Sequence, residues 1–494
     1  MRKRKILLFS VITILTSMSS ARIEPDVQWT KIFGGGIYEF GRCVQQTTDG
    51  GYIVVGDTDS FGSGNFDVWL IKTSNLGDTL WTKTFGGVGE DRGFSVDQTT
   101  DGGYIIAGYT SSYGAGGLDI WLIRTDNEGD TLWTKTFGGS FWDWATSVQQ
   151  TTDGGYILTG MIQPSFGAGW NVWLIKTDSS GDSEWERIFG ADDYDNGMSV
   201  QQTVDGGYIV LADTYSYGAG SSDFWLIKTN NLGDTLWTNT FGGTGCERSH
   251  SVQQTADGGY IMAGDTRSYG SGDYDVWLVK TDSDGGGVWT RTFGGVEEDC
   301  GCSVRQTVDE GYIIAGYTES FGAGNFDVWL LRTDDSGDTE WSKTIGGENL
   351  DRGRSVDLTA DGGFIVAGST YDYFAGEYNI YLIKLGPETS VSQPQSGSAP
   401  EQVGISICPN PFNYSTTIAF DVPSGVDGTV SLSIYDITGG IVTTLISEPM
   451  ATGAYSTVWN GTDRRGRSIT PGVYFCRIEG PSFNCTKRMI LLRN

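Results

Sequence analysis

A tryptophan returns every 52 residues along most of this chain. One series runs Trp29, Trp81, Trp133, Trp185, Trp237, Trp289 and Trp341. A second runs Trp69, Trp121, Trp173, Trp225, Trp277, Trp329 and Tyr381 at the same interval. Repetition at such a period describes units that bury their apolar faces against each other. Within one unit, residues 94–99, 104–110, 119–125 and 132–137 are short β-rich runs separated by Asp, Asn and Gly. Four antiparallel strands per unit make one blade of a β-propeller. The first unit opens on a fourth-strand position, Trp29, and the last ends after its third strand, near Leu385. Pairing residues 27–33 with the blade that starts near Gly353 closes a ring and removes both open edges. The expected fold is all-β: a seven-bladed β-propeller over residues 22–387, closed by that N-terminal strand.

Each punctuating residue has an expected task. Gly51 and its equivalents supply a backbone conformation denied to other residues. Asp49 and its equivalents bond the turn's own backbone. The basic residue of every third strand, such as Lys72 or Arg124, is placed to pair with an acidic series that precedes each first strand. That series is Glu39, Asp91, Asp143, Asp195, Glu247, Asp299 and Asp351. It forms a candidate ring of carboxylates on one face. A residue recurring in all units more often caps its own loop, and that is the favoured reading here.

The ends differ from the body. Residues 1–21 read as a signal peptide: Arg2 to Lys5 are basic, a short apolar stretch follows, and small residues precede a cleavage site after Ala21. No other segment is apolar enough to cross a membrane, so no transmembrane segment is expected in the mature chain. Residues 388–402 are rich in Ser, Pro, Gln and Gly and read as a linker. Residues 403–494 carry short strands spaced as in a small β-sandwich. The formal net charge of −29 repels nucleic acid and anionic membranes, so no nucleic-acid partner is expected. Among seven cysteines, Cys476 and Cys485 flank a turn at Gly480-Pro481. They are a disulfide candidate across two strands. Cys300 and Cys302 lie two apart and are poorly placed to bond each other.

The strand order of the body resembles kelch-type propellers, and residues 125–133 resemble the tryptophan-docking units of quinoprotein propellers. Neither resemblance implies an activity. The tail is more specific. Pro409-Asn-Pro-Phe-Asn413, Ile434-Tyr-Asp-Ile-Thr-Gly439, Trp459-Asn-Gly-Thr-Asp463 and Gly472-Val-Tyr-Phe475 stand in the order seen in C-terminal sorting domains of the bacterial type IX secretion system. They also resemble the Ig-like domain of flagellar hook-capping proteins. The resemblance implies an Ig-like C-terminal domain and the type IX secretion machinery as partner. It also implies export through the periplasm to the outside or the outer surface of a bacterium. Cys408 and the Cys476/Cys485 pair depart from the family pattern.

Chemistry is sparse. His250 is the only histidine, which excludes sites built on two or more. Its position is Arg42, Phe94, Thr146, Met198, Cys302 or Arg354 in the other units, and it reads as ordinary variation. No catalytic residue, no metal ligand and no cofactor is assigned. Asp282-Ser-Asp-Gly285 and Asp334-Asp-Ser-Gly-Asp338 resemble calcium loops but lack the later glutamate, so plain hairpins are favoured over a structural calcium ion. Trp142, Trp144 and Trp170 belong to neither series and are expected to cluster at one end of the third blade. There they form a candidate surface for a glycan or protein ligand. The expected function is a secreted or surface binding protein. The alternatives are a polysaccharide-acting enzyme using acidic residues on the propeller face, and a purely structural surface component.

Overall fold

The computed structural model describes residues 22–165, 167–390, 405–408, 416–422, 428–436, 440–450, 453–481 and 483–491. The signal segment, residues 391–402 of the linker and the motif at Pro409–Asn413 lie outside the described residues. Every regular element among the described residues is a strand. The chain divides into two compact units between Val391 and Ser392.

In the larger unit the turns at Asp, Asn and Gly fold each repeat into a four-stranded antiparallel sheet, and there are seven such sheets. In the first, Glu39–Gln46, Tyr52–Thr58, Asp67–Thr73 and Thr79–Phe85 lie side by side in chain order. The last sheet takes Leu350–Leu358, Phe364–Asp372 and Glu377–Leu385 from the chain's later part. Its fourth strand is Val27–Phe33, antiparallel to Glu377–Leu385, with Trp29 opposite Lys384 and Phe33 opposite Ile380. Thr389–Ser390 then pairs with Arg22–Ile23, so ordered chain continues past residue 387.

The second strand of the first sheet is buried along its whole length because it carries apolar residues on both faces. Ile53 and Val55 pack toward the second sheet, whereas Val54 packs toward the seventh. Each neighbouring pair of sheets shares one apolar cluster. The cluster of Val44, Tyr52 and Trp69 against Ile365, Ala367, Ile380 and Leu382 joins the first sheet to the last. Sheets packed face to face around a common axis are the architecture of a β-propeller.

The fourth-strand tryptophans lock neighbours together. Trp81 meets Tyr104 of the next sheet edge-on at 5.9 Å, and Trp29 meets Tyr52 at 5.8 Å. A Cβ at Gly77 would come within 2.7 Å of the Trp29 ring, so the turn can lie on the indole only as glycine.

Two sequence expectations need correction. Positive φ belongs to Gly50, Gly102, Gly154, Gly206, Gly258 and Gly362, one residue before the expected series. Gly51 is glycine for space: a Cβ there would lie 2.2 Å from the Thr73 carbonyl and 2.5 Å from Lys72 Nζ. In the sixth sheet Glu310 stands where the others have that first glycine, at φ +71°. A side chain in this conformation costs about 1 kcal/mol. Glu310→Gly is expected to stabilise the unit by about 0.5–1 kcal/mol in chemical unfolding, and a loss of stability would refute that reading.

The third-strand bases do not pair with the acidic series at Glu39. They pair with the turn aspartates. Lys72 reaches Asp49 at 2.9 Å, Lys228 reaches Asp205 at 3.0 Å and Lys384 reaches Asp361 at 2.9 Å. These ammonium groups are buried, so the pairing and the adjacent carbonyl satisfy charges that would otherwise cost several kcal/mol.

The smaller unit has two sheets. Ile405–Cys408, Thr416–Val422 and Gly453–Trp459 form one. Ile441–Pro449, Thr429–Tyr435, Gly472–Gly480 and Phe483–Leu491 form the other. Ile418, Phe420 and Trp459 from the first sheet share a core with Leu432, Ile434, Cys476 and Met489 from the second. The Trp459 indole N–H donates to the Thr462 carbonyl at 3.0 Å, and Asp463 Oδ1 accepts from the Arg465 and Arg467 amides, each at 2.9 Å. The disulfide expectation is corrected by register. Cys476 lies opposite Lys487 and Cys485 opposite Ile478, because Gly480 pairs with Phe483 across a turn one residue later than expected, which moves each cross-strand partner by two. The two thiols are diagonal and free.

Candidate functional site

The first strands line the propeller axis. Each carries a register shift at the same place, between Gly41 and Cys43 in the first sheet and between Ser249 and Ser251 in the fifth. The extra residue is therefore Arg42, Phe94, Thr146, Met198, His250, Cys302 or Arg354. A bulge kinks its strand and re-aims the bulged side chain. Two residues earlier stand Phe40, Arg92, Trp144, Asn196, Arg248, Cys300 and Arg352. Both registers change size and charge from unit to unit, and both lie at one end of the central channel. Deeper in the channel the repeat is conservative. Gln45 accepts from the Gln98 amide at 2.7 Å, and Gln201 accepts from the Gln254 amide at 2.6 Å. Asp97, Arg305 and Asp357 break this glutamine belt around a cavity of about 240 Å³.

At the mouth a cavity of about 490 Å³ is lined by Arg42, Arg92, Arg352 and Arg354 with Tyr38, Phe40, Phe66 and Tyr378. The four guanidiniums are not equivalent. Arg42 and Arg92 both reach Asp57 Oδ2, at 2.8 and 3.3 Å, and Asp57 is fully buried. Arg92 also lies 3.9 Å above the Phe66 ring centre. Arg352 and Arg354 form no ion pair among the described residues. Arg352 lies 4.4 Å from the Phe326 ring centre, and its Nε is buried without a hydrogen-bond partner. Arg354 reaches the Cys302 sulfur at 3.9 Å and lies 5.5 Å from the Tyr317 ring centre. A concave, aromatic-lined site with uncompensated guanidinium groups is built for an anion.

Beside it, across the fifth and sixth sheets, His250 Nε2 lies 3.0 Å from Asp265 Oδ1 and 3.4 Å from Cys300 Sγ. Cys300 Sγ is 3.1 Å from the same Asp265 oxygen and 3.6 Å from Cys302 Sγ. Burial opposes charge on His250, but the Asp265 hydrogen bond and nearby negative groups outweigh it and hold the imidazole above its ordinary pKa. Cys302 is held below the usual thiol range by the hydrogen bond from Cys300, with help from Arg354 and His250, while Cys300 is driven up by that bond and by burial. Sequence reasoning passed over this group. Its signal was present: two of the chain's seven cysteines and its one histidine occupy the two variable registers.

The expected site residues fare differently. Trp144 and Trp170 meet edge-on at 4.8 Å, in a row that runs from Tyr109 through both to Tyr194 and Tyr215. Trp142 is outside that row and 53% exposed. The acidic series is buried at every position. Asp91 accepts from the Gly87 amide at 2.8 Å and Asp299 from the Gly295 amide at 2.8 Å, and Glu39, Asp143, Asp195, Glu247 and Asp351 are held in the same way. These carboxylates cap their own loops and do not present a ring to solvent. Asp282 and Asp334 accept amides of their own hairpins, at 2.7–3.0 Å.

Burial pushes Asp67, Asp213 and Asp223 up to about 6. A group whose folded pKa exceeds its unfolded value stabilises below the unfolded value and loses that contribution as pH rises through the folded one. Asp49 and Asp257 are lowered to about 2, because Thr and Lys partners outweigh burial, and their contribution is lost only below the ordinary carboxylate range. The propeller's melting temperature is therefore expected to rise as pH falls from about 7.5 to about 5. Calorimetry at the two pH values checks this, and a lower melting temperature at the acidic one would contradict it.

Over 160 aligned residues the chain is 26% identical to the regulatory protein FlaEY of Caulobacter vibrioides, covering 28% of this chain and 17% of that protein. The chain thus spans under a fifth of that curated relative's length. Among solved structures, PorZ, a surface component of the type-IX secretion system of Porphyromonas gingivalis, is similar with a TM-score of 0.38 and 14% identity, over 89% of this chain and 58% of that one. The Neurospora crassa Pan2 WD40 domain is similar with a TM-score of 0.44 and 10% identity, over 77% and 99%. The tail gives the firmer result. Residues 406–492 match the secretion system C-terminal sorting domain, and the protein is accordingly one that is exported through the periplasm and secreted or held at the cell surface.

Proposed function

We propose that this chain is a surface-delivered binding protein that holds an acidic glycan at the mouth of a seven-bladed propeller. In this reading residues 1–21 are its signal peptide, residues 388–402 a linker, and residues 403–494 an Ig-like sorting domain. One observation carries the binding proposal. In a chain of net charge −29, four arginines converge on one aromatic-lined cavity, and two of them have no carboxylate partner among the described residues. A sugar carboxylate matches a guanidinium fork, and the rings offer faces for the sugar. Trp144 stands on the same register as Arg352, with Trp170 behind it, so a longer glycan has further stacking surface. Trp142, exposed on the loop before, is a more distant contact. The loop-capping role of the seven carboxylates weighs against the enzymatic alternative, which needed them free.

Calorimetric titration of the full chain with a galacturonic acid oligosaccharide and with its carboxyl-reduced, neutral counterpart tests the proposal. Binding of the acidic sugar alone is expected. Binding of neither, or equal binding of both, would overturn it.

A further inference from the structure

We infer that His250, Asp265 and Cys300 form a binding site for one zinc ion, which ties the fifth sheet to the sixth at the channel mouth. The inference does not rest on the glycan reading, since none of these three residues lines the arginine cavity.

The donor set is one nitrogen, one carboxylate oxygen and one sulfur, a mixture that suits a borderline-soft divalent ion. Its geometry agrees. With zinc bonds of about 2.3 Å to sulfur and about 2.0–2.1 Å to nitrogen and oxygen, tetrahedral edges come to about 3.6 Å between sulfur and nitrogen or oxygen, and about 3.4 Å between nitrogen and oxygen. The corresponding separations are 3.4 and 3.1 Å for Cys300 to His250 and Asp265, and 3.0 Å for His250–Asp265. Each is shorter by a few tenths of an ångström, so the donors need spread only slightly around an ion. Hydrogen bonds account for the same contacts when no metal is bound, which makes the site a preformed one.

A supporting shell is present. Arg248 holds the other oxygen of Asp265, its Nε at 2.6 Å from Oδ2, and leaves Oδ1 turned toward His250 and Cys300. Such outer contacts orient ligating carboxylates. Arg354 lies 3.9 Å from the Cys302 sulfur and places a positive charge beside the thiol pair. The bulge at residue 302 brings its sulfur to 3.6 Å from that of residue 300, where it contacts the ligating thiol from outside the donor set. No other sheet pair offers the set. The equivalents of Cys300 are Phe40, Arg92, Trp144, Asn196, Arg248 and Arg352, and none of them supplies a thiol.

The repeat itself supplies conservative variants. Thr146 occupies the His250 register and Asn196 the Cys300 register, so His250→Thr and Cys300→Asn insert residues the fold already accepts. The full chain would be purified reduced, stripped with a chelator, and titrated with Zn²⁺ against a chromophoric competitor, with Co²⁺ as a spectroscopic substitute. One tight equivalent per chain is expected, with a thiolate-to-Co²⁺ charge-transfer band. Either variant should lose that band, weaken Zn²⁺ binding at least about a hundredfold, and abolish the rise in melting temperature that Zn²⁺ gives the parent. A parent chain that shows no charge-transfer band overturns the inference without recourse to any variant. So does a folded Cys300→Asn protein that retains both band and affinity, which would place the ion on other thiols.

Discussion

Replacing Arg352 and Arg354 by Ala together is expected to weaken binding of the acidic oligosaccharide by about a hundredfold to ten-thousandfold, without loss of folding. Each charge-assisted hydrogen bond to an anion contributes about 1.5–3 kcal/mol, and two such groups are removed. The stability side runs the other way. Arg352 keeps a buried Nε without a partner, and neither arginine has an ion pair among the described residues. Like charges gathered without counter-charge destabilise the free protein. The double variant should therefore melt no lower than the parent, once the loss of ring contacts at Phe326 and Tyr317 is offset. Arg42→Ala and Arg92→Ala are controls with the opposite signature. Each strips a partner from buried Asp57, so each should lower stability. If the Arg352/Arg354 variant binds the acidic sugar as the parent does, the anion site is elsewhere.

The second large effect concerns closure. Deleting residues 22–33 removes the fourth strand of the last sheet and bares the edge of Glu377–Leu385. It also removes Trp29 from Tyr52 and from the Gly77 turn, an aromatic contact that joins the last sheet to the first. Loss of one such aromatic anchor costs about 3–5 kcal/mol, and the open edge adds unpaired backbone groups. The melting temperature should fall by more than about 10 °C, and the chain should associate through its free edge. Adding back a synthetic peptide of residues 22–33 should restore part of the loss. A truncated chain that melts like the parent and stays monomeric would show that the ring does not depend on this strand.

The strands, the seam at residues 27–33 and the tail family were legible because each is written in spacing. A tryptophan every 52 residues reports which segments are equivalent, and equivalence is enough to place strands within a sheet. The mouth was not legible for the same reason. Its residues lie in different units and meet only around an axis, so no local pattern links His250 to Cys300 or Arg42 to Arg354. The bulge that aims them is invisible in the period, since an extra residue present in every unit changes no spacing. Variation at these registers was visible at His250, where it resembled drift. The three odd tryptophans drew attention instead, and only Trp144 of these sits on a mouth register. The turn glycine was placed one residue late because two glycines stand together, and only backbone angles separate the one that needs positive φ from the one that needs room.

The repeated bulge also bears on how such a protein can change. Bulged residues make no ladder pairing, and the apolar clusters between sheets draw on other positions. Fourteen side chains at the mouth, two from each of seven first strands, thus lie outside the apolar clusters that join neighbouring sheets. Duplicating or exchanging whole repeats transplants a pair of these side chains and leaves the apolar clusters between sheets in place. A lineage of such chains can acquire new ligands by shuffling blades, much as a combination lock is reset by turning its wheels while the case stays shut.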